Sequence, residues 1–258
     1  PVARLTRAAG KMSAGDYGCQ VKVSSRDELG QLANSFNEMS KKIKQEDEFR
    51  RQFIADASHE LRSPVASLKV LVESLLIKHP KSKEETIEYL TDINGQLDRL
   101  SRLVNDLLML SRIEKNKASL KKEPVPIRQL LAEVKENLRL LAAEKQIEIT
   151  ITANSDILWP ADRDMLYRAV YNLADNAIKY SPVNSQVQLN SAADEEKLTI
   201  TVKDQGIGIA PEHLGNLFTR FYRVDKARER ATGGIGLGLS IVKEIVSLHG
   251  GTVSVTSV

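Results

Sequence analysis

The chain has 258 residues, of which 41% are hydrophobic and 28% are charged, a length that fits one large domain or two or three small ones. Its formal net charge of +3 is too small to indicate nucleic acid as the main partner, and its single cysteine, Cys19, excludes an internal disulfide and fits a reducing compartment. No apolar run approaches the roughly 18 residues of a membrane span, and no secretory signal is present. Because the sequence begins at Pro1 rather than at a methionine, we expect a soluble piece of a longer protein.

The first half of the sequence is predicted to form long helices. Proline is absent from residues 2–63 and 81–123, and glycine is absent from residues 31–94, so these stretches lack the usual helix breakers. Apolar residues three and four positions apart form the seams through which such helices pack side by side in bundles or coiled coils. The predicted seams are Val2, Leu5, Ala9 and Met12; Leu29, Leu32, Phe36, Met39 and Ile43; Phe53, Ala57, Leu61 and Val65; and Leu90, Ile93, Leu97, Leu100, Val104 and Leu107.

The second half mixes helical and strand periodicities. A turn is predicted at 78–85, and a linker that contains proline is predicted at 118–126. Beyond the linker, alternating and β-branched stretches predict strands, and amphipathic stretches predict helices. The predicted strands are 147–153, 185–189 and 197–204, the predicted helices are 127–146, 162–181 and 236–251, and 252–258 is expected to open a further strand at which the sequence stops.

The stretch DASHELRSPVASL, residues 56–68, places His59 on an outward helix face, since at about 100° per residue it points away from the apolar seam of the same helix. One nitrogen of a neutral imidazole can act as a nucleophile while the other donates a hydrogen bond to a carboxylate. Glu60 supplies such a carboxylate, and Ser63 on the same face can orient a water molecule. A solvated His–Glu pair on a charged helix face remains an open alternative.

Pro64 follows His59 by little more than one turn, in a region that otherwise lacks proline. Its ring removes the backbone hydrogen bond to the carbonyl of Glu60 and clashes with that turn, which costs ~3 kcal/mol in a helix interior. We therefore expect the helix to bend or loosen beside His59.

The motif DQGIGI, residues 204–209, follows a predicted strand. Its carboxylate, Asp204, can accept a hydrogen bond from the exocyclic amine of an adenine, and Gly206 and Gly208 let a flat ring approach the backbone closely. An ordinary turn of the DxGxG type explains the motif as well, so both interpretations stay open.

The motif GGIGLGLSI, residues 233–241, leads directly into a predicted helix. Gly234, Gly236 and Gly238 before a helix N-terminus are typical of a phosphate-binding loop. The motif lacks the third spaced glycine of the dinucleotide fingerprint and the lysine of a P-loop, which disfavours both of those folds. A flexible turn rich in glycine is the alternative.

The motif NLADNAIKY, residues 172–180, places Asn172 and Asn176 on one helix face, with Lys179 and Tyr180 one turn later. Two amide oxygens on one face can bind a hard cation such as Mg²⁺, which keeps most of its water ligands and shares phosphate oxygens. Lys179 can neutralise phosphate charge. A merely polar outer face of the helix is the alternative.

The stretch between the two glycine motifs spans about 25 residues, which is long for a loop in a compact domain and is typical of a functional segment. It is predicted to form a mobile lid over a nucleotide. We expect Phe218, Phe221 and Tyr222 to anchor it.

Taken together, these blocks resemble those of the sensor histidine kinases of two-component signalling, in order and in spacing. SHELRSP looks like the phosphoacceptor box, NLADNAIKY like the N box, DQGIGI like the G1 box, LFTRFYR like the F box and GGIGLGLSI like the G2 box. The likeness covers about residues 45–258, and residues 1–44 resemble a HAMP linker whose second helix opens with DELGQLANSFNEM.

That resemblance implies an all-α region, a dimer formed by a coiled coil and a four-helix bundle, followed by an α/β sandwich ATP-binding domain of the Bergerat, or GHKL, type. The implied domains are a HAMP-like signal-relay linker at 1–44, a DHp hairpin for dimerisation and histidine phosphotransfer at 45–117, the linker at 118–126, and a catalytic ATP-binding domain at 127–258 whose C-terminal strand is incomplete.

The resemblance also implies roles for individual residues. His59 would accept the phosphoryl group with Glu60 as its partner base, and Asp204 would bind the adenine amine. Asn172 and Asn176 would hold Mg²⁺. The other residues implied to contact ATP are Lys179, Tyr180, Gly206, Gly208, Arg220, Gly234, Gly236, Leu237 and Gly238.

The implied reaction is autophosphorylation of His59 from ATP with Mg²⁺, followed by transfer to an aspartate in the receiver domain of a response regulator. Ser63 stands where the family often has threonine or asparagine, and because it keeps a hydroxyl we expect phosphatase activity toward the regulator as well. A homodimer and a place at the cytoplasmic face of a bacterial membrane, through segments outside this chain, are further expectations.

Two other functions remain open at this point. An ATP-driven clamp of the same GHKL type would need the nucleotide motifs but not His59. A non-catalytic signalling scaffold would relay conformation through its coiled coil and hold ATP as a structural ligand.

Overall fold

The computed structural model describes residues 2–22, 27–78, 82–115, 120–153, 157–224 and 235–257. The chain divides into two compact units between Ser63 and Pro64, and each is described by itself. Among the described residues, no helix is both long enough and apolar enough to cross a membrane.

Helix α1 (Val2–Ser13) and the start of helix α2 (Glu28–Lys78) form the core of the first unit. The core consists of Ala8, Val21, Ala33 and Phe36, with Leu5 and Met12 packed against it. Asp27 caps α2 by accepting hydrogen bonds from the backbone nitrogens of Leu29 and Gly30, each at 3.1 Å.

The segment between α1 and α2 is held against α2 by side chains of that helix. The amide of Asn37 accepts from the backbone nitrogen of Val21 at 2.8 Å and donates to its carbonyl at 2.9 Å. The hydroxyl of Ser40 donates to the carbonyl of Cys19 at 2.9 Å. These bonds satisfy backbone groups that lie outside any helix or strand.

The predicted seams of this unit are only partly correct. Ala8 rather than Ala9 is buried in α1. The face of α1 that packs against α2 therefore includes Ala8, with Leu5 and Met12, and not Ala9. In α2, Ala33 and Phe36 are buried, whereas Leu32 and Met39 are 55% and 47% exposed. Leu32 and Met39 therefore lie on a second apolar face that this unit leaves uncovered.

Helix α2 continues through Pro64 without a break. Pro64 is buried and Val65 is 52% exposed, so the seam after Ala57 passes through Pro64 and not through Val65 as the sequence predicted. Ala57 and Pro64 lie on the same face of the helix because they are seven residues apart, which is the heptad spacing. The predicted bend beside His59 stays a prediction.

In the second unit, helix α3 (Lys83–Lys115) is capped by Ser82, whose hydroxyl accepts from the backbone nitrogen of Glu85 at 3.1 Å. The buried face of α3 consists of Leu103, Leu110 and Ile113. Another face carries exposed apolar side chains at Ile87, Leu90, Leu97, Val104 and Leu108.

An α/β sandwich follows α3. Strands β1 (Glu123–Pro126) and β3 (Leu158–Ala161) form an antiparallel pair, while β2 (Glu148–Ala153) is parallel to β4 (Gln186–Ala193), which is antiparallel to β5 (Leu198–Lys203). Helices α4 (Ile127–Asn137), α5 (Arg139–Glu144) and α6 (Arg163–Tyr180) pack on the three-stranded sheet. The short helix α7 (Pro211–Leu214) precedes α8 (Gly238–Leu248), which packs on α6 and α3.

The predicted fold class, long helices followed by an α/β sandwich, is confirmed. Local predictions fail at three places. Residues 123–126, predicted as linker, form β1, because prolines are tolerated in a strand that pairs on one side only. The helix predicted at 127–146 breaks at Leu138 into α4 and α5.

The strand predicted at the end of the sequence is also absent from the part of it that the structure describes, 252–257. Alternating residues need a partner to become a strand, since a ladder is made of backbone bonds between two segments. Here the backbone nitrogen of Ile209 donates to the hydroxyl of Ser257 at 2.8 Å, which is a side-chain contact.

Candidate active site

His59 lies on the first unit and is open to solvent, as the sequence predicted. Its side chain is 81% exposed, and its Nδ1 atom lies 3.9 Å from Oε1 of Glu60. Nδ1 therefore faces the carboxylate, and Nε2 is the nitrogen turned away from it. Ser63, one turn further along α2, is exposed as well.

Helix α6 presents the predicted N box from one face. Asp162 caps it by accepting from the backbone nitrogen of Met165 at 3.2 Å. The side that faces the core is formed by Ala169, Val170, Ala174, Ala177 and Ile178. The half-buried side carries the predicted ligand residues Asn172, Asn176, Lys179 and Tyr180.

The amide of Asn172 is oriented by a hydrogen bond to the G2 motif. Its Nδ2 atom donates to the carbonyl of Gly238 at 3.3 Å, which leaves Oδ1 as the atom available to a cation. No cluster of histidine, cysteine, aspartate or glutamate in the described ranges could hold a metal ion. Amide oxygens fit Mg²⁺ that arrives with water and phosphate oxygens as its other ligands, so Asn172 and Asn176 fit this ion.

Lys179 is already paired within α6. Its Nζ atom lies 2.5 Å from Oδ2 of Asp175, and the two side chains are only 20% and 19% exposed. Asp175 was not predicted to have a role at the site. Because this pair is largely shielded from solvent, a phosphate group at Lys179 would have to compete with, or join, a strong charge-assisted bond.

The G1 motif forms a turn against the end of α6. Oδ1 of Asp204 accepts from the backbone nitrogen of Gly206 at 2.8 Å, and the backbone nitrogen of Ile207 donates to the carbonyl of Tyr180 at 3.3 Å. A Cβ atom on Gly206 would lie 2.6 Å from that Asp204 oxygen and 3.1 Å from the Tyr180 carbonyl oxygen. Gly208 has a φ of +72°, a conformation that glycine adopts without strain.

The G2 motif forms a second turn, beside α8. Gly236 has a φ of +79°, and its carbonyl accepts from the backbone nitrogen of Phe221 at 2.9 Å. Leu237 is fully buried and precedes α8, and the hydroxyl of Ser240 donates to its carbonyl at 2.8 Å. Gly234 and the rest of 225–234, which include the C-terminal part of the predicted lid, lie outside the described residues.

Arg220 of the F box is directed toward α8 and is only 8% exposed. Its Nη2 atom donates to Oε1 of Glu244 at 3.1 Å. Tyr222 shares a hydrogen bond of 2.8 Å with Nδ1 of His213. These contacts fix the F box beside the G2 turn, and the ATP contact of Arg220 stays a prediction.

Two residues that the sequence analysis missed hold the ends of α6. The ammonium of Lys145 donates to the carbonyls of Ile178, Lys179 and Ser181 at 3.0, 2.6 and 3.2 Å. His249 accepts from the backbone nitrogen of Asp162 at 3.0 Å through Nε2. Only the histidine carried a sequence signal, since it directly precedes two glycines at the end of a helix.

Helices α3 and α6 are joined by an ion pair. Nη2 of Arg168 donates to Oδ1 of Asp106 at 2.5 Å, and the aspartate side chain is 14% exposed. Burial raises the pKa of Asp106 above its ordinary value of 3.8, and this outweighs the lowering by the positive charge of Arg168. Burial, reinforced by the carboxylate of Asp175, likewise raises the pKa of Tyr171 on α6.

The amino-acid sequence matches three domain families. Residues 161–258 match the ATPase domain of histidine kinases, DNA gyrase B and HSP90. Residues 49–116 match the His Kinase A phosphoacceptor domain, and residues 1–45 match the HAMP domain. The first match contains α6 and both glycine turns, and the second contains His59.

Known proteins resemble the chain along most of its length. The sensor histidine kinase YclK of Bacillus subtilis (strain 168) is 35% identical over an alignment 264 residues long, gaps included, that covers 99% of this chain and 55% of the relative. The solved structure of the Acinetobacter baumannii histidine kinase AdeS has a TM-score of 0.65 at 25% identity and covers 77% of this chain and 91% of its own. Full-length ShkA in complex with AMPPNP has a TM-score of 0.55 at 29% identity, over 76% of this chain and 41% of its own.

The long helices and the α/β sandwich thus define a phosphoacceptor domain of the His Kinase A type that precedes an ATPase domain of the GHKL type. The chain belongs to the sensor histidine kinases of two-component systems. It spans about half the length of the curated relatives it matches.

Proposed function

We propose that this chain autophosphorylates His59 from ATP and Mg²⁺ and passes the phosphoryl group to an aspartate of a response regulator. The observation that carries the proposal is that one chain contains both a phosphoacceptor-like histidine and a nucleotide-binding-like domain. The chain exposes an imidazole beside a carboxylate within the part that matches the phosphoacceptor domain. The same chain holds both glycine turns against α6 in the part that matches the ATPase domain.

His59 is suited to nucleophilic attack because Glu60 lies on the Nδ1 side of its ring. A hydrogen bond from Nδ1 to Glu60, once 3.9 Å shortens to bonding distance, would keep Nε2 unprotonated. In the reaction, the lone pair of Nε2 forms a bond to the γ-phosphorus of ATP, and the bond from that phosphorus to the bridging oxygen breaks, so that ADP leaves with its electrons. The Glu60 carboxylate stabilises the positive charge that develops on the ring.

The nucleotide would lie against the half-buried face of α6. Asn172 and Asn176 would hold Mg²⁺ through their amide oxygens, and the ion would neutralise charge on the phosphate groups. Asp204 would accept from the adenine amine with the oxygen that Gly206 does not use. Phosphoryl transfer depends mainly on such positioning and charge neutralisation.

Phosphatase activity toward the phosphorylated regulator is the second part of the proposal. It rests on Ser63, whose exposed hydroxyl lies one turn from His59 and can orient an attacking water. The Ser63→Ala variant should autophosphorylate like the wild type but dephosphorylate the regulator about 10²-fold more slowly, since positioned proton-transfer and water-orienting groups contribute on that order. Equal dephosphorylation rates in the two proteins would remove Ser63 from this role.

The partners are proposed as a second copy of the chain, a receiver domain and a membrane. The exposed apolar side chains of α3, among them Leu90 and Leu97 at 53% and 49% exposure, support a helical interface between two copies. The match to the HAMP domain supports a role in relaying signals from a membrane at whose cytoplasmic face the protein would work. Fractionation of cells that express the complete protein tests the membrane location.

Incubation with γ-labelled ATP and Mg²⁺ distinguishes the proposed kinase from the two alternatives. A kinase retains label that is lost in His59→Gln, and Asn176→Ala should weaken Mg²⁺-dependent binding of ATP. Hydrolysis of ATP without label on the protein would favour an ATP-driven clamp. Neither hydrolysis nor label, with ATP still bound, would favour a signalling scaffold.

A further inference from the structure

Helices α6 and α8 are joined by hydrogen bonds at two separate points. At one, Nδ2 of Asn172 donates to the carbonyl of Gly238, the first residue of α8. At the other, the backbone nitrogen of Asp162 donates to Nε2 of His249, the residue after α8. The order of these contacts shows that the two helices run in opposite directions.

The two points lie at matching distances along both helices. Ten residues separate Asp162 from Asn172 and eleven separate Gly238 from His249, which correspond to about 15 and 16 Å at ~1.5 Å per residue. One bond therefore lies at each end of the stretch over which α6 and α8 run side by side. Apolar packing between α6 and α8 resists separation, whereas directional bonds at both ends also resist sliding along the axis.

His249 uses both nitrogens of its ring. Nδ1 bonds to the carbonyl of Ile245 at 2.8 Å and must donate there, and Nε2, which accepts from Asp162, must carry no proton. The backbone nitrogen of an N-cap residue is often satisfied by a glutamate or glutamine three residues later. Met165 occupies that position here and cannot accept such a bond, so His249 from another helix takes its place.

We propose that His249 is a positioning residue of the nucleotide site, which sets the register of α8 along α6. The inference rests on the proposed function in that it assigns the nucleotide to the face of Asn172. With the register fixed, Nδ2 of Asn172 meets the carbonyl of Gly238, and Oδ1 of the same amide would remain available to Mg²⁺ when the nucleotide binds. A slip of one residue would move the amide by about 1.5 Å, which is enough to misplace a ligand group.

Two substitutions at His249 test this role. His249→Gln keeps an acceptor for the backbone nitrogen of Asp162, and His249→Phe keeps a ring of similar size but loses both hydrogen bonds. The probe is Mg²⁺ with AMPPNP, a non-hydrolysable analogue of ATP, measured by calorimetry on the whole chain. We expect the phenylalanine variant to bind about tenfold more weakly, as a lost oriented hydrogen bond allows, and the glutamine variant to bind within about twofold of the wild type.

A stability control separates positioning from general weakening of the domain. Ile149→Ala removes core volume from β2, where Ile149 is 5% exposed, and should lower the melting temperature without changing AMPPNP affinity. If both His249 variants bind as the wild type does, or if Ile149→Ala weakens binding as much as His249→Phe, the positioning role is wrong. Should the phenylalanine variant fail to fold, His249→Asn, whose shorter side chain reaches less far, replaces it with the same expected weakening.

A second readout needs no nucleotide and therefore distinguishes this inference from the proposed function. The side-chain amide protons of Asn172 should exchange slowly with solvent in the wild type and in His249→Gln, and faster in His249→Phe, as followed by nuclear magnetic resonance. Unchanged exchange in His249→Phe would overturn the register role. Absence of AMPPNP binding in the wild type, with the exchange effect intact, would instead overturn the proposed function.

Discussion

The close packing of the G1 turn requires glycine at position 206. At Gly206 the space for a side chain is occupied by an oxygen of Asp204 and by the carbonyl of Tyr180. Gly215, at the end of α7, has no heavy atom within 4 Å of the position of a Cβ and has a φ of −66°. A side chain is therefore excluded at Gly206 but has room at Gly215, although both lie in the same loop-rich region.

The Gly206→Ala variant should bind ATP analogues at least about tenfold more weakly, because the added methyl displaces the Asp204 carboxylate proposed to bind adenine. Gly215→Ala is the matched control and should bind like the wild type. Calorimetric titration with Mg²⁺ and AMPPNP compares the two. Equal affinities for both variants would show that the Asp204 carboxylate has no part in nucleotide binding.

The titration of Asp106 affects stability with a definite sign. Its pKa in the folded chain is raised above 3.8 by burial, so the folded state binds the proton more tightly than the unfolded state does. Its contribution to stability is present in full below pH 3.8 and is lost as pH rises through the raised pKa. Asp106→Asn keeps an acceptor for Arg168 and removes this titration.

The difference in unfolding free energy, wild type minus Asp106→Asn, should therefore fall as pH rises from about 4 and become constant above the raised pKa. Urea denaturation at a series of pH values measures this difference. A difference that rises with pH over this interval would contradict the direction of the shift.

The two ends of helix α6 are fixed by groups from different parts of the sequence. Lys145 follows α5 and supplies three bonds to carbonyls at the C-terminal end of α6. A helix C-terminus carries partial negative charge and unpaired carbonyl groups, and an ammonium satisfies both. The same end of α6 accepts a bond from the G1 turn at Tyr180, so Lys145 supports the part of α6 that borders the proposed nucleotide site.

Replacing Lys145 by methionine should lower the unfolding free energy by about 2 kcal/mol, since charge-assisted bonds and the helix dipole are lost together. Lys135→Met, at an exposed position on α4, is the matched control and should change stability by no more than about 0.5 kcal/mol. Chemical denaturation of both variants provides the measurement. A loss for Lys145→Met no larger than that of the control would show that the three bonds do not stabilise α6.

A helix or strand was predictable where the residues that determine it all lie within that element. Asp162 and the apolar face of α6, from Ala169 to Ile178, were sufficient to predict that helix. Strand β1 was missed because its two prolines resemble a linker, and only its pairing with β3 makes it a strand. The break at Leu138 was missed for a similar reason, since the apolar spacing continues through it.

The candidate site was predictable as a set of motifs but not as a set of contacts. The glycine spacing and the Asn172–Asn176 step pointed to nucleotide and cation chemistry. The pairing of Lys179 with Asp175 and the roles of Lys145 and His249 depend on side-chain positions. Contacts such as that of His249 join residues far apart in the sequence, and no local pattern encodes them.

At the scale of the whole molecule, the long helices α2 and α3 expose many large apolar side chains. Leu90 and Leu97 lie seven residues apart on α3 and are 53% and 49% exposed, which is the spacing of a coiled-coil seam. On α2, Leu76 and Ile77 are 66% and 78% exposed. An association of two copies through these helices would bury such surface.

Replacing both Leu90 and Leu97 by glutamate should convert a dimer into a monomer, because buried charges would be placed in the seam. Light scattering coupled to size-exclusion chromatography measures the mass, and AMPPNP binding checks that the ATP-binding domain is intact. Thr91→Glu, at an exposed position on the same helix, should leave the dimer unchanged. A wild-type chain that is monomeric at micromolar concentration would contradict the proposed interface.

Nε2 of His59 is the atom proposed to receive the γ-phosphoryl group of ATP. Phosphorus nuclear magnetic resonance of the chain, recorded after incubation with Mg²⁺ and ATP and removal of free nucleotide, tests this proposal most directly. We predict a single phosphohistidine signal, with phosphorus on Nε2, stable to base, labile to acid and absent from His59→Gln. A chain without covalent phosphorus, or with the same signal in His59→Gln, would contradict the account.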